Sequence, residues 1–188
     1  MYFKKNKNVS FIFTSDNLKK IDEILSHYPQ DRKISGLIPI LDLAQRQNNG
    51  WLSPEAIVAV SKLLNHPEIR IYEVATFYTM FNLKPVGQYH IKVCGTTPCW
   101  LCGAGDIRKV CEKHLEIGLN ETTPDNLFTL SEYECLGACV NAPVVQINDE
   151  YIEDIDAQGL IELLDRLKQG EILQPQSLKK RQGTKPLS

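Results

Sequence analysis

The chain has 188 residues, of which 43% are hydrophobic, with 21 basic and 23 acidic side chains. This length suits one ordinary domain with a helical extension, and the composition is that of a soluble globular protein. No apolar run approaches the roughly 20 residues that span a bilayer, and no basic stripe is interleaved with aromatic residues, so we expect neither membrane insertion nor a nucleic-acid partner.

The first 87 residues have the pattern of a helical region. Apolar residues recur at helical spacing, Ser15-Asp16 offers a first N-cap, and Ser53-Pro54 offers a second with proline at the first helical position. The last of these segments carries an aromatic face, which predicts helix packing, a docking surface for a partner, or both. The predicted helices cover about 18–28, 37–44, 56–64 and 71–81.

After Pro85 the pattern changes to alternating strands and helices. Strands are predicted at 89–93, 127–134, 144–148 and 151–152, with a loop at 122–126 and a turn at Asp149-Glu150. Helices are predicted at 106–115 and from the candidate N-cap Asp156 to Gly170. We expect an α+β or α/β fold in which a small mixed sheet is flanked by helices. The predicted organisation is a helical region at 1–87, a sheet domain at 88–173 and a flexible tail at 174–188.

Six cysteines lie between positions 94 and 139, and no secretory signal precedes them. Such cysteines are more often metal ligands or redox groups than a disulfide framework. Four of them form two pairs in separate loops: Cys94 with Cys99, and Cys135 with Cys139. Because a two-iron cluster needs two thiolates on each iron, these pairs predict an iron–sulfur site.

Small residues beside the paired cysteines favour such a site. At Gly95, Gly137 and Ala138 the backbone N–H groups are able to approach sulfur closely. Donors of this kind stabilise an anionic cluster and raise its reduction potential.

Three alternatives use the same cysteines. Cys94, Cys99 and Cys102 match the spacing of plant-type ferredoxins, Cys99 and Cys102 match a dithiol redox motif, and the two pairs together match a structural zinc site. Cys111 falls inside a predicted helix and is expected to be a buried small hydrophobe. No catalytic triad, phosphate loop or carboxylate pair is evident, so no catalytic residue is predicted.

Three segments of the chain resemble a known family. Residues 73–81 (EVATFYTMF), 93–101 (VCGTTPCWL) and 134–143 (ECLGACVNAP) are similar to the E subunit of NADH-quinone oxidoreductase, respiratory complex I, a family of thioredoxin-like [2Fe-2S] ferredoxins. The resemblance runs from about residue 15 to 170. It implies an N-terminal helical bundle, a thioredoxin-like domain and one [2Fe-2S] cluster, with Cys94, Cys99, Cys135 and Cys139 as its ligands.

The resemblance also implies a function. The chain would exchange single electrons with the FMN of a partner flavoprotein subunit that binds NADH, as part of an enzyme complex and without catalysis of its own. The nearest alternative is the equivalent cluster subunit of an NAD-linked hydrogenase or formate dehydrogenase. We expect a location on the cytoplasmic face of a bacterial inner membrane, with the mitochondrial matrix face less favoured.

Two further positions bear on the resemblance. Cys102 stands where the family leads us to expect a different residue, often arginine, and this keeps the plant-type ligand set open. Pro143 resembles the proline that precedes a strand in thioredoxin folds, and the sequence does not decide whether its peptide bond is cis or trans.

Overall fold

The computed structural model describes residues 10–181 and divides into two compact units, one ending at Pro85 and one beginning at Val86. The first unit is helical, as its sequence predicts. A 3₁₀ segment, Gln30–Gly36, lies between the first two helices. The helices are α1 (Ser15–Ser26), α2 (Leu37–Gln47), α3 (Pro54–Leu64) and α4 (Glu68–Phe77).

Side-chain caps fix the starts of two of these helices. The Ser53 hydroxyl accepts a 3.2 Å hydrogen bond from the Ala56 N–H, as the cap signal before α3 predicts. At α1 the cap is Thr14, whose hydroxyl accepts from the Asn17 N–H at 3.3 Å. The predicted cap at Ser15-Asp16 is therefore wrong by one residue, because the Thr14 hydroxyl already accepts the hydrogen bond of the Asn17 N–H.

Helix α4 differs from the predicted segment at 71–81. It ends at Phe77, because Tyr78 adopts an extended backbone with ψ of 117°. Ile71 is fully buried in the core of this unit, whereas the Phe77 side chain is 76% exposed. The aromatic face is thus only partly used for packing, and a role in docking stays a prediction. The exposed apolar side chains of this region are Ile69, Phe77, Tyr78 and Met80.

The second unit is built on a six-stranded mixed sheet, which confirms the predicted fold class. Its strands are β1 (Tyr89–Cys94), β2 (Glu121–Thr122), β3 (Phe128–Tyr133), β4 (Val144–Ile147), β5 (Glu150–Glu153) and β6 (Gln176–Ser177). Their order across the sheet is β2-β3-β1-β4-β5-β6. The central strand β1 runs parallel to β3 and antiparallel to β4. The peptide bond between Ala142 and Pro143, directly before β4, is cis.

Within residues 86–181, this unit has three α-helices: α5 (Thr97–Leu101), α6 (Ala104–Leu115) and α7 (Ala157–Lys168). The Asp156 carboxylate caps α7 by accepting the Gly159 N–H at 2.8 Å, as predicted. Cys111 on α6 is fully buried in the core, which confirms its predicted role as a small hydrophobe. Across residues 10–181, no helix combines the length and the apolar character that crossing a bilayer requires.

Several predicted details of the second unit are wrong. The five-residue helix α5 was not predicted, because it is shorter than the window in which helical periodicity becomes visible. Strand β2 replaces the start of the loop predicted at 122–126. The hairpin turn lies at Asn148-Asp149, since Glu150 already pairs with Ile147.

Part of the predicted flexible tail contacts the sheet. Residues 176–177 form β6, parallel to β5, and Ser177 and Arg181 both contact the buried carboxylate of Asp154. These contacts attach the segment to the sheet despite its polar composition. Residues 182–188, the rest of the predicted tail, lie outside the described part of the chain.

Candidate metal centre

The four paired cysteines come together at one end of the sheet. Cys94 is the last residue of β1 and is opposite Tyr133, the last residue of the parallel strand β3. Strand β4 runs the other way and begins at this same end, so the connection from β3 to β4 crosses the end of β1. Cys135 and Cys139 both lie in this connection, while Cys99 is buried in α5 directly after β1.

The second pair has the spacing of two ligands on one metal. The Sγ atoms of Cys135 and Cys139 are 3.5 Å apart, and all six cysteines are free thiols. Two sulfurs bound at 2.3 Å to one tetrahedral metal would be roughly 3.8 Å apart. The pair therefore needs little rearrangement to hold one iron.

The two pairs also influence each other. Burial raises the pKa of the Cys99 thiol to about 12, with further contributions from Cys94 and from the charge of Cys139. The pKa of Cys139 is raised by its hydrogen bond with Cys135, by burial, and by the charges of Cys135 and Cys94. Each pair thus lies within electrostatic reach of the other, as ligands of a shared group must.

Hydrogen-bond donors point at the sulfurs. Burial raises the pKa of Cys94, but the Thr96 hydroxyl at 3.4 Å and the N–H groups of Leu136 and Thr96 outweigh it and hold the pKa below its ordinary value. The Gly137 N–H, 3.4 Å from the Cys135 sulfur, is the largest cause of a lowered pKa there. Such donors stabilise thiolates, which are the form that binds iron.

The predicted glycine donors behave differently from one another. Gly137 donates to sulfur, with a positive φ of 84° that few other residues adopt readily. Gly95 instead donates to the Tyr133 carbonyl at 2.9 Å. This bond continues the parallel pairing of β1 with β3, so the expectation of a sulfur contact from Gly95 is wrong.

The remaining two cysteines differ in exposure: Cys102 is exposed and Cys111 is buried. Cys102 lies directly after α5, as the C-cap residue of that helix. The cysteines that raise the pKa of Cys99 are Cys94 and Cys139. The 3.5 Å separation of the Cys135 and Cys139 sulfurs favours a ligand set that uses both of them over the plant-type set, which replaces one.

Strand β5 holds the loop that carries the second pair. The Tyr151 hydroxyl donates to the Leu136 carbonyl at 2.6 Å, and the Asn141 amide donates to the Glu153 carboxylate at 2.7 Å. Sequence reasoning missed these residues. The only signal is that positions 151 and 153 share one face of a strand, and it becomes useful only when the register with the loop is known.

In the described part of the chain, no group of three or more His, Cys, Asp or Glu side chains is placed to hold a metal ion. A structural zinc site needs four ligands around one ion. A [2Fe-2S] cluster needs two thiolates on each of two irons, and the two cysteine pairs offer this.

Comparison with known proteins agrees with this arrangement. Residues 21–168 match the sequence model of the thioredoxin-like [2Fe-2S] ferredoxin family. The E subunit of NADH-quinone oxidoreductase from Rickettsia conorii is 59% identical over 162 residues, which are 86% of this chain and 97% of the relative. The mitochondrial NADH dehydrogenase [ubiquinone] flavoprotein 2 of Dictyostelium discoideum is 52% identical over 163 residues, 87% of this chain and 66% of the relative.

One solved structure supports the fold. A crystal structure of an NAD⁺-reducing [NiFe]-hydrogenase in the air-oxidised state superposes on 72% of this chain with a TM-score of 0.63 and 21% identity. The match spans 23% of the hydrogenase chain. At this identity the likeness extends to the fold alone.

A mixed sheet with flanking helices and two converging cysteine pairs is the arrangement expected of a small iron–sulfur electron carrier. The sequence comparisons make the assignment specific. The chain belongs to the thioredoxin-like [2Fe-2S] ferredoxin family, and within it to the E subunits of NADH-quinone oxidoreductase. This membership confirms the predicted family and the predicted [2Fe-2S] cofactor.

Proposed function

We propose that this chain is the electron-transfer subunit of an NADH:quinone oxidoreductase, with its [2Fe-2S] cluster held by Cys94, Cys99, Cys135 and Cys139. The observation that carries the proposal is the meeting of two cysteine pairs at one end of the sheet, with the Sγ atoms of the second pair 3.5 Å apart. The named relatives, which match 86% of this chain, support the assignment to the complex.

The surrounding residues suit a one-electron centre. When bound, the cluster supplies a site that takes up and releases one electron. Cys94 and Cys99 are each 1% exposed, so one side of the site is shielded from water. Cys135 and Cys139 are exposed and form the side at which an electron-exchange partner has access. The donors Thr96 and Gly137 stabilise negative charge on the sulfurs.

The proposed partner is the flavoprotein subunit that binds NADH and FMN. Large apolar side chains next to the cysteines are exposed: Trp100 and Leu101 follow Cys99, and Val140 follows Cys139. Apolar surface beside polar groups is typical of protein interfaces. We expect these side chains to be covered by the flavoprotein, which would bring its FMN near the cluster for exchange of single electrons.

The proposed location follows from membership of the complex. The bacterial relatives support a position on the cytoplasmic face of the inner membrane, bound to the other subunits of the complex.

We also propose that the helical region, near 1–87, and the thioredoxin-like region, near 88–173, act as two domains. The apolar residues around Phe77 in the helical region are a second candidate contact with other subunits.

The test is anaerobic purification of the affinity-tagged chain from its own host. We expect it to bring down an FMN-containing subunit, identified by mass spectrometry, in a membrane-derived assembly that reduces quinone with NADH. Recovery in a soluble, nickel-containing assembly would contradict the proposal.

The docking surface is tested with a double variant. Trp100→Ala combined with Val140→Asp should weaken association with the flavoprotein, whereas Ile172→Asp, at another exposed apolar position, should not.

A further inference from the structure

A single peptide group lies between the Tyr151 phenol and a sulfur of the proposed cluster site. The Tyr151 hydroxyl donates to the Leu136 carbonyl oxygen at 2.6 Å. That carbonyl belongs to the same peptide group as the Gly137 N–H, which is 3.4 Å from the Cys135 sulfur. The phenol and the thiolate therefore occupy opposite ends of one peptide dipole.

Hydrogen bonds in such a chain strengthen one another. A donor at the carbonyl oxygen polarises the peptide group, and its N–H becomes a better donor to the next acceptor. Better N–H donation to sulfur stabilises the more negative, reduced form of a cluster and raises its reduction potential. The phenol therefore acts on the sulfur without touching it.

We propose that Tyr151 is a positioning residue that raises the reduction potential of the cluster, by orienting and polarising the Leu136-Gly137 peptide toward Cys135. This inference rests on the proposed function of the four cysteines. The inference goes beyond the proposed function by assigning a role to a side chain that binds no iron.

Three observations support the assignment. Tyr151 lies on β5, whose pairing with β4 fixes its position along the sheet. The left-handed backbone at Gly137, with φ of 84°, allows its N–H to point at the sulfur. A phenol keeps its proton at neutral pH, so the Tyr151 hydroxyl, 2.6 Å from the Leu136 carbonyl oxygen, remains a donor.

The experiment compares the full chain in its complex with the Tyr151→Phe variant. Iron, acid-labile sulfide and the EPR signal of the reduced cluster report cluster content, and an EPR-monitored redox titration gives the midpoint potential. We expect unchanged cluster content. At the midpoint potential of the unmodified protein, the ratio of reduced to oxidised cluster should fall by about two- to threefold in the variant.

Two control proteins distinguish the proposed role of the Tyr151 hydroxyl from a general effect of changing a tyrosine. Tyr89→Phe removes a phenol hydroxyl at the opposite end of β1 from Cys94, where the ring stacks on Phe128, and should leave the titration unchanged. Replacing Tyr151 with 3-fluorotyrosine keeps the ring and makes the hydroxyl a stronger donor. This protein should shift the ratio in the opposite direction, which a purely structural role would not produce.

The possible outcomes separate this inference from the proposed function. A fully loaded Tyr151→Phe protein with the midpoint of the unmodified protein would overturn the inference alone. An equal shift in Tyr89→Phe, or no shift with 3-fluorotyrosine, would also overturn it. Absence of a cluster from the unmodified complex would instead overturn the proposed function.

Discussion

The Asn141 side-chain amide donates a 2.7 Å hydrogen bond to the carboxylate of Glu153, a residue that is only 2% exposed. Asn141 ends the 3₁₀ turn that Cys139 begins, and Glu153 is the last residue of β5. The Asn141 carbonyl also accepts the Asp154 N–H at 2.8 Å. The turn that carries one cysteine of the site is therefore fixed to the end of a strand by two hydrogen bonds.

This relationship predicts a stability effect. Asn141→Leu removes the hydrogen bond to a buried carboxylate and should lower the free energy of unfolding by about 1.5–3 kcal/mol, measured by urea denaturation. Gln158→Leu is the control, because it removes a surface amide that donates to Glu162 at 2.8 Å. This variant should change the free energy of unfolding by less than about 0.5 kcal/mol. Equal stabilities of the two variants would contradict the role given to Asn141.

A second prediction concerns the segment after α7. The Asp154 side chain is fully buried and accepts hydrogen bonds from the Ser177 hydroxyl at 2.6 Å and the Arg181 guanidinium Nε at 3.0 Å. Arg181→Ala leaves this buried carboxylate less well compensated and should lower the free energy of unfolding, measured by urea denaturation. Hydrogen exchange at residues 176–178 should become faster at the same time.

The matched control is Arg166→Ala. Arg166 forms its ion pair with Glu171 at 2.8 Å, with both side chains nearly half exposed. Such surface pairs contribute about 0–1 kcal/mol. If Arg181→Ala lowers the free energy of unfolding no more than Arg166→Ala does, the attachment of residues 176–181 does not depend on the pair with Asp154.

The third prediction is a pH dependence from His90. Burial, and then the charge of Lys92, lower the pKa of His90 from 6.5 to about 4. The unfolded chain therefore binds the proton more readily than the folded chain. The contribution to stability is complete above pH 6.5 and is lost as the pH falls from 6.5 through about 4.

For this histidine the expected loss of stability between pH 7.5 and 5.5 is about 1 kcal/mol. Urea denaturation at the two pH values, in the unmodified protein and in His90→Gln, measures it. Glutamine keeps a polar group near the Ser131 hydroxyl, which lies 2.9 Å from His90 Nε2, and does not titrate. An identical pH dependence in both proteins would show that His90 is not responsible.

The fourth prediction concerns a direct donor to sulfur. Thr96→Val keeps the shape of the side chain but removes the hydroxyl 3.4 Å from the Cys94 sulfur. The reduction potential should fall, because the reduced cluster loses a hydrogen bond. Thr97→Val at the neighbouring exposed position is the control in the same EPR-monitored titration. A larger shift from the control would count against the assignment.

Most of the secondary structure was predictable because it depends on local signals. The cap at Ser53, the proline after it and the apolar period of α7 each act within a few residues. The errors lie where tertiary contacts decide. Helix α5 is too short for a periodic signal, and β6 depends on its pairing with the distant strand β5 and on contacts with Asp154.

The cysteine pairs were also visible in the sequence, since their spacing is local. Their supporting residues were not. Tyr151 and Glu153 reach the loop that carries Cys135 and Cys139 only because the β4–β5 hairpin returns the chain beside it. Such contacts depend on strand register, which no single segment specifies.

The most direct test of the central claim is the iron and acid-labile sulfide content of six single-cysteine variants of the purified chain. We predict about two irons and two sulfides per chain in Cys102→Ser and Cys111→Ala, as in the unmodified protein. Serine at position 94, 99, 135 or 139 should abolish or strongly reduce this content. Loss of the cluster in Cys102→Ser, together with its retention when Cys135 or Cys139 is replaced, would contradict the four-thiolate site.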